Sequence, residues 1–203
     1  MTAPLHSNTP KPTKVHTLAA YLVREAKAAY KSCFYNGTIL KMAGAKANHN
    51  KISANFLVGI GIALQDNEQR LHHNYELYSS DQKIYIADEN TVVYPDALTI
   101  CGEPEFWNGR EDLLTNPLLV VEVLSKSTQM HDRGSKFKLY KSLPSFKEYV
   151  LLAQDEPKVE VWTKTAANTW QFILYTNLED LITLHAVEGI TIPLASIYKN
   201  VKF

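Results

Sequence analysis

"LLVVEVLSKST", residues Leu118 to Thr128, decides how this chain is read. Six aliphatic residues surround one carboxylate, Glu122, in a stretch with the composition of a strand buried on both faces. Val120 and Leu124 share its face while Val121 and Val123 take the other, so no local neighbour compensates the charge. Left unpaired, such a carboxylate costs on the order of several kcal/mol. A buried lysine or arginine, a splayed sheet or a bound divalent metal would each resolve it.

Two more positions break local rules. "VVYPDALTI" (Val92 to Ile100) is strand-like on both sides of Pro95, a residue confined to edges, bulges and strand ends. A bend there aims Asp96 out of the pleat; the plainer alternative is a Pro-Asp turn between short strands. In "HDRGSKFKLYKSLPS" (His131 to Ser145), Leu139, Tyr140 and Leu143 stand three, four and seven residues beyond Lys136. Its ammonium therefore falls within the core-facing stripe of a helix. Either it snorkels out along its stem or it needs an anion. Two carboxylates and a lysine around one magnesium or manganese ion would explain all three anomalies, because hard cations take oxygen ligands and few carboxylates. Such an ion activates water, and a nearby lysine orients that water and stabilises transition-state charge.

The rest of the chain sets the frame. Its 203 residues suffice for one domain with a substantial core, and 45 % hydrophobic with 21 % charged residues is an ordinary globular balance. Lysine plus arginine equals aspartate plus glutamate at 21 each, so any phosphate contact must come from a local patch. Cys33 and Cys101 form neither a disulfide framework nor a zinc pattern, which reads as a reduced, cytoplasmic compartment. The opening "MTAPLHSNTPKPTKVH" lacks the apolar core of a signal peptide, and no segment reaches transmembrane length. Residues 1–15 read as a flexible lead-in and 16–203 as a single domain.

Leu18 to Tyr35 reads as an alanine-rich helix running into a strand, with a turn at Asn36-Gly37 and "TILKMAG" returning. Asn48 to Gln65 reads as a second helix, apolar at Ile52, Phe56, Ile60 and Leu64, with Gly59 and Gly61 allowing close packing. "YELYS", "KIYIA", "VVYPDALTI" and "LLVVEVLS" read as four strands. Cys101 to Pro117 is a loop. A helix capped by Asp132 or Ser127 stops at Pro144; "EYVLLA", "KVEVWTK" and "TWQFILYT" are strands, and "IPLASIYKNV" closes as a short helix. The expected fold class is α/β (α+β), a mixed central sheet flanked by helices.

"YPDALTI … NPLLVVEVLSKST … DRGSKFKLYKSLPSFKEYVLL", together with "YKSCFYNGTILKMAGAKANHNKISAN", resembles the Uma-type restriction endonuclease family of the PD-(D/E)XK nuclease superfamily. The likeness runs from about Leu18 over almost the whole chain. It implies a restriction-endonuclease-like core and hydrolysis of DNA phosphodiester bonds by a metal-activated water. It matches Asp96 and Glu122 to the motif acids, makes the Val123 carbonyl the third protein ligand for magnesium or manganese, and assigns the motif lysine to Lys136, since Leu124 stands at the superfamily's usual lysine position. Tyr140, one turn on, would support that lysine. His49 matches a family histidine that either contacts phosphate or begins the second helix. Asp81 sits where relatives often carry an aspartate, as a supporting group or turn former. Relatives often have an acid where this chain has Cys33 and Thr38, which leaves open a catalytically weak module that binds nucleic acid or a partner. Glu25 is read as a solvated surface residue, with service in place of that acid as the alternative, His72-His73 as an exposed turn, and Ser125, Ser127 and Thr128 as loop and capping groups. Phe106, Trp107, Trp162 and Trp170 read as core or dimer packing residues, with stacking on bases as the alternative. A homodimer through the strand-rich C-terminal third is expected, so that two sites reach both DNA strands.

Overall fold

Pro95 is where the fold divides. It offers no N–H to a ladder, and the strand expected across it is two strands in two different sheets. The computed structural model describes residues 15–203; the lead-in expected over 1–15 lies, except for Val15, outside them. The elements are α1 (Leu18–Glu25), β1 (Ser32–Tyr35), β2 (Thr38–Lys41), α2 (Ala47–Asp66), β3 (Tyr75–Ser79), β4 (Lys83–Ile86), β5 (Thr91–Val93) and β6 (Ala97–Cys101). Then come β7 (Leu113–Leu114), β8 (Leu119–Leu124), α3 (Gln129–His131), a π-helical turn (Asp132–Lys136) and α4 (Phe137–Lys141). The chain closes with β9 (Glu148–Ala153), β10 (Val159–Ala166), β11 (Thr169–Tyr175), β12 (Leu181–Leu184), β13 (Ile190–Pro193) and α5 (Leu194–Ile197).

The mixed sheet expected at the centre is six-stranded, ordered β11-β10-β9-β8-β6-β3, with β8 and β9 parallel and the other pairs antiparallel. A second sheet, β2-β1-β5-β4-β7, and the ribbon β12-β13 correct the picture of a single sheet. β8 lies between two neighbours and every one of its residues is buried, as its aliphatic run requires. Leu119, Val121 and Val123 join the core under α2, while Val120 and Leu124 join the core under α4. Helices thus flank the mixed sheet on both faces, and Glu122 points toward α4. No described helix is long and apolar enough to cross a membrane.

Two helices differ from expectation for visible reasons. α1 ends at Glu25, although the alanines that follow favour helix. The Glu25 carboxylate binds the Ser32 N–H at 2.8 Å and Tyr21 O–H donates to the Ser32 carbonyl at 2.6 Å, so the chain folds back to pair β1 with β5. Beyond β1 the expected hairpin forms, with Asn36 and Gly37 both at positive φ. In the second case Thr128, not Asp132 or Ser127, is the N-cap, and its side chain makes no cap bond. Asp132 lies inside the helix, in a π-turn that buries both Asp132 and Lys136. Helix geometry resumes in α4 and stops at Lys141, ahead of Pro144.

α2 rests Ile52, Phe56 and Ile60 on the mixed sheet and the ribbon. Its two glycines differ. A Cβ on Gly59 would come within 2.9 Å of Ile192 Cγ2, so close packing holds there, whereas one on Gly61 meets nothing within 4 Å. Gly61→Ala should therefore stabilise by roughly 0.5–1 kcal/mol through helix propensity, and Gly59→Val should destabilise by about 1–3 kcal/mol through overpacking. Urea midpoints of the two variants check both signs.

Glu148 opens β9 with 0 % exposure, accepting from Thr163 Oγ1 (2.6 Å) and the N–H groups of His185 (3.0 Å) and Ala186 (3.2 Å). Burial pushes its carboxyl up to about 7, against the pull of those donors. A raised native value means that the folded state holds the proton more tightly. Its contribution to stability is complete below the unfolded carboxyl range and is lost as pH rises through about 7. Denaturant titrations from acid to neutral pH should show Glu148→Gln flattening that slope by roughly 3 kcal/mol relative to the unaltered chain.

Candidate active site

Glu122 projects from β8 against the helical segment that follows it. Lys136 Nζ lies 2.6 Å from Glu122 Oε1, and Tyr140 O–H donates to the same oxygen at 2.9 Å. Lys136 does not snorkel: it is 6 % exposed, donates to the Tyr94 carbonyl at 3.2 Å and has Asp132 Oδ1 at 3.9 Å. The charge that answers Glu122 in this structure is the ammonium of Lys136. Tyr140 binds the carboxylate rather than the lysine it was expected to steady. Among the described residues no hydrogen bond is directed at Glu122 Oε2, and that atom is not one of the buried side-chain atoms sealed off without a partner. One carboxylate oxygen therefore stays open to the site.

Asp96 stands one step beyond the last β6–β8 pair, Ala97 with Val121, which places it beside Glu122 in register. Its own N–H closes that ladder on the Val121 carbonyl at 3.0 Å. Asp96 Oδ2 accepts the Val123 N–H at 2.7 Å, and Oδ1 meets His49 Nε2, from the first turn of α2, at 2.9 Å. A strand residue sends its N–H and C=O to the same side, so the Val123 carbonyl also faces the edge that β6 vacates after Asp96. The proline thus releases β8 from pairing where three oxygen-bearing groups converge.

The local electrostatics follow from burial. Desolvation drives the Glu122 carboxyl up to about 8; Lys136 opposes this, and Asp96 and Asp132 add to it. Burial alone would lower Lys136, but Glu122 and Asp132 outweigh it and hold the ammonium above its ordinary value. Glu122 and Asp132 face the one buried cation, and Asp96, half-buried and bound to His49, adds its charge beside Glu122. Among the described residues no three His, Cys, Asp or Glu side chains form a ready cation shell, so any ion here relies on the Val123 carbonyl and on water.

Other expected residues fall elsewhere. Asp81 lies in the turn between β3 and β4, its side chain 84 % exposed and paired with Lys31 at 2.6 Å, without contact to the Glu122 cluster. Glu25, read as solvated, is half-buried and clasped by Ser32 and by Tyr94 O–H at 3.0 Å. Cys33 is buried close enough to Lys136 that the ammonium opposes the upward push of burial on its thiol, while Thr38 is exposed on β2. His72 and His73 both bind Glu188, at 2.7 and 3.0 Å, in an exposed turn. Trp162 and Trp170 pack around Phe137, and Trp107 packs edge-on against Tyr85.

Asp132 and the Tyr94 carbonyl are the site groups the sequence reading missed. The Asp132–Lys136 spacing of four on a buried stripe was the available signal for the first. The second is a main-chain atom and leaves no trace in residue type. At the rim, His131 bridges Tyr35 O–H (3.1 Å) and Ser135 Oγ (2.6 Å).

A solved structure described as "a putative nuclease belonging to DUF820" from Anabaena variabilis superposes with a TM-score of 0.69 over 90 % of this chain and 97 % of that one, at 15 % identity. The shared property is the fold. Uncharacterized protein sll1609 of Synechocystis sp. is 37 % identical over 158 residues, spanning 78 % of this chain and 86 % of that protein. A second uncharacterized Synechocystis protein, slr1290, is 28 % identical over 90 % of this chain and 91 % of its own length. Residues 18–195 match the Uma2 family, described as "Putative restriction endonuclease", and the chain belongs to that family.

Proposed function

We propose that this chain is a divalent-metal-dependent endonuclease that hydrolyses DNA phosphodiester bonds. The observation that carries the reading is the open Glu122 Oε2 beside Asp96, in a site where Asp96 and Asp132 both act on the Glu122 carboxyl and one ammonium, Lys136, answers it. The donor set fits a hard cation: Glu122, Asp96 and the Val123 carbonyl would hold magnesium or manganese, with water and substrate phosphate completing the shell. When bound, the ion supplies Lewis acidity, lowering the pKa of water and drawing charge from a phosphoryl oxygen.

The chain's own groups do the positioning. Tyr140 and Lys136 pin Glu122 Oε1, which leaves Oε2 directed at the site. His49 and the Val123 N–H fix the two Asp96 oxygens in the same way. Lys136 stays protonated, so it acts as a charge and a donor rather than as a neutral amine base. It donates to the attacking water or to the phosphate oxygen that gains charge.

The test is incubation of supercoiled DNA with magnesium or manganese, with and without chelator. Nicking that needs the cation supports the reading; none under any divalent ion removes it. Cys33 at the site favours a second reading, a nuclease fold that binds nucleic acid or a partner without cutting. Manganese calorimetry separates the two, since a dead site gives no carboxylate-dependent heat. A homodimer is part of the proposal. β11 is an edge strand with Phe172 and Leu174 exposed, and it lies in the C-terminal third expected to carry the contact.

A further inference from the structure

Asp132 is buried, 4 % exposed, yet among the described residues nothing donates a hydrogen bond to either of its carboxylate oxygens. The one cation paired with it, Lys136 Nζ, stands at 3.9 Å. Neither oxygen is one of the buried side-chain atoms sealed off without a partner, so water reaches each of them. The main chain, by contrast, is fixed on both sides. Asp132 N–H donates to the Thr128 carbonyl at 2.9 Å, and Tyr149 O–H, from β9, donates to the Asp132 carbonyl at 3.1 Å. The turn that carries the residue inward is π-helical, a rare geometry that concentrates at functional sites. A fold that anchors this backbone and leaves the buried carboxylate without donors holds an acceptor for a proton that the chain itself does not supply.

Lys136 decides what brings that proton. Its Nζ lies 2.6 Å from Glu122 Oε1 and 3.9 Å from Asp132 Oδ1, so the ammonium fills the space between the two acids and repels a cation from it. The longer separation exceeds a hydrogen bond and is one that a single water bridges, accepting from the ammonium and donating to the carboxylate. Asp132 also acts on the Glu122 carboxyl, which puts it in the site that Glu122 Oε2 faces. Hydrolysis needs such an acceptor, because the attacking water must lose a proton. On the nuclease reading Asp96, Glu122 and the Val123 carbonyl are committed to the cation, and Lys136 already carries its proton.

We propose that Asp132 is the general base of the phosphodiester hydrolysis, a role that rests on the nuclease reading above. Lys136 and Asp132 hold the water between them. Its oxygen forms a bond to phosphorus as one of its protons passes to an Asp132 oxygen. The bond from phosphorus to the ester oxygen breaks; that oxygen leaves with the electron pair and takes a proton from solvent. Asp132 then returns its own proton to solvent.

The experiment compares Asp132→Asn and Asp132→Ala with the unaltered chain by cleavage kinetics, manganese calorimetry and thermal melts. Asp132→Asn keeps the volume and removes the acceptor, so kcat should fall by about 10²–10⁴ with KM unchanged. Manganese affinity should change by less than about tenfold, since Asp132 supplies charge nearby but no ligand oxygen. The melt should move by no more than about 2–4 °C, because the carboxylate had no hydrogen bond to lose. Formate, a small carboxylate, should restore part of the rate of Asp132→Ala in a saturable manner, and chloride at the same ionic strength should not. Cleavage by Asp132→Asn at the unaltered rate overturns the proposal, as does Asp132→Ala that formate leaves unchanged. Loss of manganese binding overturns it too and makes Asp132 a ligand; a collapsed melt overturns it and makes Asp132 a structural partner of Lys136. Glu122-dependent cleavage that ignores Asp132 would sink this proposal alone, whereas no cleavage by the unaltered chain under any divalent ion would sink the nuclease reading with it.

Discussion

Glu122→Gln should abolish divalent-dependent DNA cleavage, reducing the rate by roughly a thousandfold or more, while the protein stays folded. The amide oxygen still accepts from Tyr140, and the side chain keeps its volume in the core beside β9. What disappears is a negative oxygen facing the site and the partner of Lys136. Breaking an isolated buried ion pair costs about 3–5 kcal/mol, and this variant should lose less, because Asp132 remains 3.9 Å from the ammonium. The melt should shift down by several degrees and stay cooperative, since ~1 kcal/mol moves a chain of this size by about 2–4 °C. Cleavage by the purified variant at the unaltered rate, with contaminating nucleases excluded, would remove Glu122 from the mechanism. A collapsed melt would instead mark it as a structural residue.

The sequence made the site legible where a residue type violated its surroundings. A carboxylate in "LLVVEVL" and a lysine on an apolar helix stripe each demanded a partner, and they found each other at 2.6 Å. Pro95 likewise announced a break, though not that the break would send β5 and β6 into separate sheets, because sheet membership depends on pairing between distant strands. Asp132 was hidden by its proximity to a helix start, where an aspartate ordinarily caps; the π-turn that carries it into the interior has no local signature. The alanine-rich run after Glu25 misled for the opposite reason. Propensity favoured helix by tenths of a kcal/mol per residue, and the bonds from Ser32 to Glu25 and Tyr21 override it. The ribbon β12-β13 and the two-residue β7 went unread because short strands carry little periodicity.

Lys136→Met should separate catalysis from both stability and cation binding. Cleavage should fall about as far as with Glu122→Gln, because the ammonium that answers transition-state charge is gone. Stability should drop by up to about 3–5 kcal/mol where Glu122, 4 % exposed, has to ionise among apolar residues, and by less where it keeps its proton, since Asp96 and Asp132 still push against its ionisation. Adding Glu122→Gln to the same chain should return most of that loss, because replacing both members of a buried pair is often neutral. The double variant should remain inactive, so the recovered melt would show that the two residues are kept for chemistry rather than for folding. Manganese should bind Lys136→Met more tightly than the unaltered chain, by roughly tenfold or more, because a positive charge has left the carboxylate cluster. The comparison belongs on the alkaline side, where any proton that Glu122 keeps once the lysine is gone competes least with the ion. Calorimetry that found manganese binding indifferent to both Lys136→Met and Glu122→Gln would mean that Glu122 does not hold the cation. The acid and the lysine would then be an internal ion pair, and the site would have to be sought elsewhere on the fold.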